Sequence, residues 1–196
     1  MQRFLSSLAA LLVTAASLLA ACAPGAGEGG DDDDDSSGAV LGDTVEHYFG
    51  DSTASGITDD WALTTSYLVR RSLFPTESRI TEELYNTGDG SAFLVEMEVD
   101  VAASTFTLAF ADGSYTGSGT LTGSAWAWTG WASTSTALDG STVESTDTLT
   151  AQQLVVTKIG RDASGAPEWS AGEVFSVIEE AEWQERFAEL PDSSSQ

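Results

Sequence analysis

The sequence predicts an all-β fold, in which an up-and-down antiparallel meander of about 8–10 strands closes into a barrel. Three observations lead to this prediction. From Trp61 onward, apolar and polar residues alternate with a period of two, which is typical of half-buried strands. Short turn sequences separate the alternating segments, and connections this short can join only antiparallel neighbours. About nine successive strands would leave exposed edges in an open sheet, and closure removes those edges.

Taken in order, the alternating segments predict strands at about 62–74, 77–86, 91–101, 104–110, 114–121, 125–133, 142–150, 153–160 and 171–178. The turn sequences between them are Pro75-Thr76, Asp89-Gly90, Asp112-Gly113, Gly123-Ser124 and Asp139-Gly140. Proline, glycine and aspartate favour tight turns through their backbone preferences. Only the connection at 161–170 is predicted to be longer.

A helix is predicted on each side of the strands, because apolar residues there recur at helical spacing. A short N-terminal helix is expected over 39–49. A C-terminal helix is expected over 179–190, with Trp183 on its apolar face and Pro191 ending it.

The first residues of the chain have the features of a secretory signal peptide. Arg3 supplies the positive start, and an apolar stretch rich in leucine and alanine follows. This stretch ends in Leu19-Ala20-Ala21-Cys22, which resembles the lipobox of bacterial lipoproteins. In that family the cysteine is acylated and becomes the first residue of the mature protein. The resemblance therefore implies a lipid anchor on Cys22 that holds the protein on a bilayer.

The residue after the cysteine bears on the choice of membrane. Lipoproteins that stay at the inner membrane of Gram-negative bacteria often begin Cys-Asp, whereas Ala23 follows Cys22 here. The resemblance thus favours the outer membrane over the inner one, on the periplasmic face or at the cell surface. Four segments are predicted: a signal peptide (1–21), the lipidated cysteine with an acidic disordered linker (22–37), the barrel domain (38–190) and a disordered tail (191–196).

The chain is strongly acidic, with 31 acidic and 7 basic side chains and a formal net charge of −24. Such a surface repels the phosphates of nucleic acids and the headgroups of anionic lipids. Nucleic acid is therefore excluded as a partner, and attachment to a bilayer is expected to depend on the lipid. The aspartate run at 31–35 lacks the ligand spacing of a calcium-binding EF-hand loop and is interpreted as a solvated spacer.

Candidate ligand-binding residues come from the stretch 115–131, which contains three of the six tryptophans. Alternation places Tyr115 on one face of a strand, and Trp126 and Trp128 together on one face of the next. Glycines on the first strand would leave room for the indoles. Two interpretations remain open: these aromatic residues pack the core, or they form a wall of a ligand cavity.

Alternation also predicts which side chains face the interior. On one strand, the predicted inward residues are Phe93, Val95, Met97, Val99 and Val101, and the outward residues are Leu94, Glu96, Glu98 and Asp100. On the two preceding strands, Arg71 and Glu82 share a face with apolar residues, whereas Arg70 points outward. A buried guanidinium needs a partner, so an inward Arg71–Glu82 ion pair is predicted, which could also hold an acidic ligand group. The alternative is that both arginines reach solvent.

The sequence offers little for catalysis. His47 is the single histidine and lies in the predicted N-terminal helix, so neither a zinc site nor a nucleophile–base pair can be assembled around it. The glycines near Gly119 lie within a predicted strand and not between a strand and a helix, so they do not form a phosphate-binding loop. We therefore expect a protein that is not an enzyme and that uses no metal or cofactor.

The whole pattern resembles the calycin superfamily, which includes lipocalins, over roughly 61–190. The features that carry the resemblance are the Arg70-Arg71 strand, the turn at 112–117, the Trp126 and Trp128 strand and the terminal Trp-x-x-Arg helix. The Gly-x-Trp of the lipocalin first strand is not present, so no ligand-binding residue is transferred. The resemblance implies a barrel that binds a small apolar ligand. The second hypothesis is a solidly packed barrel that interacts with partners through its outer surface.

Overall fold

A computed structural model describes residues 41–191 of this chain. Ten antiparallel strands follow one another in chain order, and the first strand pairs with the last to close a barrel. Each strand pairs with its sequence neighbour, so the architecture is an up-and-down meander. The predicted fold class is confirmed. The signal peptide, Cys22, the linker and the tail at 192–196 lie outside the described residues.

The strands are β1 (Thr44–Gly56), β2 (Ala62–Phe74), β3 (Arg79–Asn86), β4 (Ala92–Asp100), β5 (Thr105–Phe110), β6 (Tyr115–Ser124), β7 (Ala127–Ala137), β8 (Thr142–Leu149), β9 (Gln153–Arg161) and β10 (Pro167–Val177). A helix, α1 (Glu180–Ala188), follows β10 and confirms the predicted C-terminal helix. A single 3-10 turn, Pro75–Glu77, connects β2 to β3. Within residues 41–191, no helix is both long and apolar enough to cross a bilayer.

The predicted N-terminal helix at 39–49 is wrong over the residues that are described. From Thr44 onward this segment belongs to β1, which pairs with both β2 and β10. Tyr48 points into the barrel, while His47 is covered from outside by α1, so β1 buries residues on both faces. A strand that is buried on two faces loses strict alternation, and its apolar residues can then mimic helical spacing.

The hairpin between β6 and β7 also differs from the prediction. The turn was expected at Gly123-Ser124, but β6 continues through Ser124 and the turn is formed by Ala125 and Trp126. A register irregularity after Thr122 accommodates the additional residues. Trp126 therefore lies in a turn and not on a strand, with a positive φ of 57°. This left-handed conformation is unfavourable for a bulky residue, so packing of its indole must compensate for it.

The last connection is shorter than expected. β10 begins at Pro167, so the predicted long connection at 161–170 is a five-residue turn at 162–166. Asp162 holds this turn by accepting hydrogen bonds from the backbone N–H groups of Ser164 and Ala166. The aspartate side chain substitutes for backbone hydrogen bonding, which allows a tight turn without the Asp-Gly pair of the other turns.

The face assignment of β4 is confirmed. Val95, Met97 and Val99 are buried, and their outward neighbours on the strand are exposed. Phe93 and Val101 are partly buried and pack against the same core. The core runs through the barrel interior and combines aliphatic residues with several aromatic ones.

Candidate functional site

The two ends of the barrel are built differently. At one end, here called the helix end, lie the start of β1, the end of β10, the beginning of α1 and the connections β2–β3, β4–β5, β6–β7 and β8–β9. The opposite end, here called the turn end, contains the other five connections between strands. At the turn end, Asp-Gly turns at 89–90, 112–113 and 139–140 place glycines at positive φ.

A cavity of about 610 Å3 opens at the helix end, between the barrel rim and α1. Its lining residues are Val45, Glu46, His47, Tyr48, Arg70, Ser72, Leu149, Thr150, Ala151, Val177, Ile178, Glu179, Glu180 and Gln184. Nine of these come from β1 and from the segment that runs from the end of β10 into α1. The cavity thus forms where the seam between β1 and β10 meets the helix.

Alternation along β1 supplies two kinds of wall to this cavity. Glu46 and Tyr48 belong to the inward face, because they lie opposite Arg71 and Val69 of β2. His47 belongs to the outward face, where it contacts α1. Since β1 begins at the barrel rim here, side chains from both of its faces reach the same opening.

A buried ion pair lies beneath the cavity and confirms the predicted Arg71–Glu82 contact. The two residues are directly opposite each other on β2 and β3, and their side chains are 0% and 1% exposed. The Arg71 guanidinium donates from Nε to Glu82 Oε1 at 2.7 Å, and Nη2 donates to the same oxygen. Both donors converge on one carboxylate oxygen, and each of these hydrogen bonds is strengthened by the charges of the two groups.

The same guanidinium supports the cavity wall. Arg71 Nη1 donates to Tyr48 Oη at 3.0 Å and to Glu46 Oε2 at 3.1 Å. Burial raises the pKa of the Tyr48 phenol above its ordinary range, so the hydroxyl keeps its proton. It donates that proton to Glu46 Oε2 at 2.6 Å. Arg71 and Glu82 therefore position Glu46 and Tyr48, although neither lines the cavity itself.

A second buried ion pair was not predicted from the sequence. Lys158 Nζ of β9 donates to Glu173 Oε1 of β10 at 2.8 Å, with both side chains almost fully buried. Ser52 of β1 donates to the same carboxylate oxygen at 3.1 Å. The alternation rule could have placed Lys158 on the inward face, because it follows Val156 at a spacing of two, but alternation does not identify its partner.

The predicted aromatic residues pack the core and do not line the cavity. Trp126 and Trp128 contact each other at the helix end, with ring centroids 4.9 Å apart. Tyr115 lies near the turn end, where its ring packs on Phe110 at 5.6 Å. The structure therefore brings Arg71 and Glu82 together but separates Tyr115 from the two tryptophans.

Gly119 of β6 has a different role from the one expected. A Cβ at Gly119 would lie 2.5 Å from the ring of Phe106, on the preceding strand β5. Gly119 therefore makes room for a phenylalanine and not for the tryptophans of the next strand. The large ring and the small residue complement each other across the β5–β6 pair.

An aromatic cluster outside the barrel holds α1 in place. Trp183 is 2% exposed and contacts His47 at 5.2 Å, Phe187 at 4.7 Å and Tyr85 at 6.1 Å between ring centroids. The guanidinium of Arg70 lies over the same indole at 5.8 Å. His47 is buried beneath this helix. Burial lowers the pKa of its imidazole, and Arg70 lowers it further against the opposing effect of Glu180.

A second and more open groove of about 850 Å3 crosses the helix ends of β3 to β6. Arg79 in its lining is already paired with Glu77 at 2.7 Å. Within residues 41–191, no α-helix lines this groove, in contrast to the cavity beside α1. Among residues 41–191, no group of three or more histidine, cysteine or acidic side chains is arranged to hold a metal ion.

Comparison with known proteins does not assign this chain to a family. No protein-family model matches the chain, and no curated protein matches its sequence. The closed ten-stranded antiparallel barrel is compatible with a calycin-like architecture. Fold alone does not establish function, so the functional argument depends on the cavity and its residues.

Proposed function

We propose that this chain is a lipid-anchored, non-enzymatic binding protein of the bacterial cell envelope, which takes a small ligand into the cavity at the helix end. The observation that carries the proposal is the cavity of about 610 Å3. Ligand pockets in proteins begin at roughly 300 Å3, so this volume is sufficient for a small molecule. Apolar residues from three elements, such as Val45, Leu149 and Val177, would cover the apolar part of that ligand.

The ligand site proposed here lies at the rim and not among the aromatic residues inside the barrel. Tyr115, Trp126 and Trp128 all belong to the continuous buried core. Arg71 and Glu82 make hydrogen bonds to each other. In this proposal, the ion pair contributes to binding by positioning Glu46 and Tyr48, which line the cavity.

Attachment to a membrane is proposed through acylated Cys22, with the outer membrane favoured over the inner one. β1 begins at Thr44 at the helix end, so the chain enters the barrel beside the cavity. An acidic linker is extended by repulsion between its charges and would hold the barrel away from an anionic bilayer. The lipid is then the only attachment to the bilayer.

Replacing Cys22 with alanine tests the anchor. We expect the Cys22→Ala protein to be recovered in the soluble fraction of the envelope, because acyl chains supply the membrane affinity. Its far-UV circular dichroism spectrum should equal that of the wild type, since the barrel is built from residues 44 onward. Persistent association of the Cys22→Ala protein with membranes would contradict the anchor.

Native mass spectrometry of the protein, purified from its own membranes, tests the ligand site. Ala151 is an exposed residue in the β8–β9 connection and lines the cavity, so Ala151→Trp should fill part of the cavity without disturbing the core. Leu138→Trp is the matched control, because Leu138 is 92% exposed at the turn end. A small molecule should co-purify with the wild type and with Leu138→Trp, and be lost from Ala151→Trp.

A second candidate function has a specific observation in its favour. The barrel interior is filled by large side chains and two ion pairs, which suits a rigid scaffold whose partners bind outside. If no small molecule co-purifies with any of the three proteins, this interaction role replaces the ligand-binding proposal. Retention of a ligand by Ala151→Trp would instead move the binding site away from the cavity.

A further inference from the structure

The charges around the cavity identify a class of ligand, on the basis of the binding function proposed above. Three carboxylates line the cavity: Glu46, Glu179 and Glu180. Glu46 forms an ion pair with Arg71, which lies beneath it. Within the described part of the chain, neither Glu179 nor Glu180 takes part in an ion pair, and both are largely exposed.

The basic side chains of the lining do not neutralise this charge. Arg70 directs its guanidinium to Glu83 at 2.7 Å, and Glu83 is not part of the lining. His47 is the other basic residue, and burial lowers the pKa of its imidazole, which favours the neutral form. The cavity therefore has an excess of negative charge close to its opening.

Apolar residues form the remaining walls. The apolar lining comes from β1, from the end of β8 and the connection after it, and from the end of β10 and the residue after it: Val45, Leu149, Ala151, Val177 and Ile178. A ligand that satisfied both kinds of wall would carry a positive charge at one position and a hydrocarbon surface beside it. The net charge of −24 would also attract cations toward the opening over a longer distance.

We propose that the cavity selects a small organic cation, an amine with a short hydrocarbon skeleton. Its ammonium group lies among Glu46, Glu179 and Glu180, and its carbon chain lies against Leu149 and Val177. Both parts contribute to the selection. The carboxylates reject anions of the same size, and the apolar walls favour alkyl amines over inorganic cations.

Isothermal titration calorimetry with three probes of equal length tests this proposal: hexylammonium, hexanol and hexanoate. We expect hexylammonium to bind about tenfold more tightly than hexanol, since each carboxylate near the rim adds a modest screened attraction. Hexanoate should show no binding. The affinity for hexylammonium should fall as the salt concentration rises, because the attraction is between charges near solvent.

Two variants locate the binding. Glu179→Gln combined with Glu180→Gln should weaken hexylammonium binding about tenfold, through loss of the two unpaired carboxylates. The matched control is Glu185→Gln combined with Glu189→Gln, which removes the same charge from the same terminal segment away from the lining. That control should bind hexylammonium with nearly the affinity of the wild type, and Ala151→Trp should not bind it.

The outcomes separate this inference from the function on which it rests. Equal affinity for hexylammonium and hexanol, no binding of hexylammonium, or equal weakening by the two double variants would each overturn selection of a cation. The proposed binding function would survive all three results if a ligand co-purifies from native membranes and is lost from Ala151→Trp. Absence of any co-purified ligand would contradict the binding function itself.

Discussion

Two regions of the barrel interior, here called the apolar half (β4 to β6) and the charged half (β9, β10 and β1 to β3), are stabilised in different ways. The inward side chains of β4 to β6 are almost all apolar, with Met97 and Phe106 as examples. Those of β9, β10, β1, β2 and β3 include two buried ion pairs, Arg71–Glu82 and Lys158–Glu173. The apolar half needs only removal from water, whereas each buried charge in the other half needs a partner on a neighbouring strand.

The charged half contains the seam at which the barrel closes. Ser52 of β1 donates to Glu173 of β10, and Arg71 of β2 donates to Tyr48 of β1. These polar contacts can form only when the strands are in this register, so we infer that they help to specify how the first strand pairs with the last. The cavity opens on this half, and its wall depends on the same contacts.

The largest effect is expected for a charge introduced into the apolar half. Met97→Asp would bury a carboxylate among Val95, Val99 and Leu108 without a partner, and should cost more than about 4 kcal/mol of unfolding free energy. Glu96→Gln, on the outward face of the same strand, is the control and should change stability by less than about 0.5 kcal/mol. Urea denaturation that gives equal midpoints for the two variants would contradict the assigned register of β4.

A smaller loss is expected when a charge is removed from the other half. Arg71→Met leaves Glu82 buried without its partner and should cost about 3–5 kcal/mol. Arg70→Met removes a partly exposed pair with Glu83 and should cost under about 1 kcal/mol. The two adjacent arginines thus form a matched comparison in the same denaturant titration.

A double variant sharpens this comparison. Combining Arg71→Met with Glu82→Leu removes both charges, and apolar replacement of a whole buried pair is often neutral. We expect the double variant to recover most of the stability lost in Arg71→Met. If it does not, the remaining contacts of Arg71 with Glu46 and Tyr48 contribute more than the pair itself.

The sequence predicts the apolar half better than the charged half. Period-two alternation on β4 is undisturbed, because one face meets solvent and the other meets the core, and the predicted faces of Val95 and Met97 are confirmed. Arg71 and Glu82 followed from the same rule, since each shares a face with apolar residues. Lys158 and Glu173 obey the rule too, but the sequence does not show that β9 and β10 place them side by side.

Two features could not be predicted because they depend on contacts between distant segments. β1 looked helical because α1, more than 120 positions later in the chain, covers its outer face through Trp183. The cavity exists only where that helix meets the barrel rim, so no local pattern indicates it. The prediction that Trp126 and Trp128 share one face of a strand is wrong for Trp126, although the two rings contact each other, and nothing local shows that Trp126 lies in a left-handed turn.

The smallest expected effect concerns His47, which packs against α1 and also forms part of the cavity wall. Burial beneath Trp183 lowers the pKa of the imidazole in the folded protein, so the unfolded chain binds its proton more readily. The contribution of His47 to the free energy of unfolding is therefore complete above about pH 6.5, the ordinary histidine pKa. It decreases as the pH falls below that value. Glu180 opposes this effect and Arg70 reinforces it, so the loss should be small.

Other buried groups also titrate, so this dependence must be isolated by comparison with His47→Gln. Burial raises the pKa of the Glu82 and Glu173 carboxyls, and their ionisation lowers stability as the pH rises, which is opposite to the effect of His47. The turn carboxylates Asp112, Asp139 and Asp162 have a pKa below the ordinary value, so their protonation affects stability only in more acidic solution. In urea titrations between about pH 5.5 and 8, stability should rise more steeply with pH, or fall less steeply, in the wild type than in His47→Gln. The difference between the two slopes is the contribution of the imidazole, because His47 is the single histidine of the chain. Equal slopes in the wild type and His47→Gln, or a difference of the opposite sign, would show that the imidazole is not buried beneath α1, and would separate the helix from the cavity it is inferred to enclose.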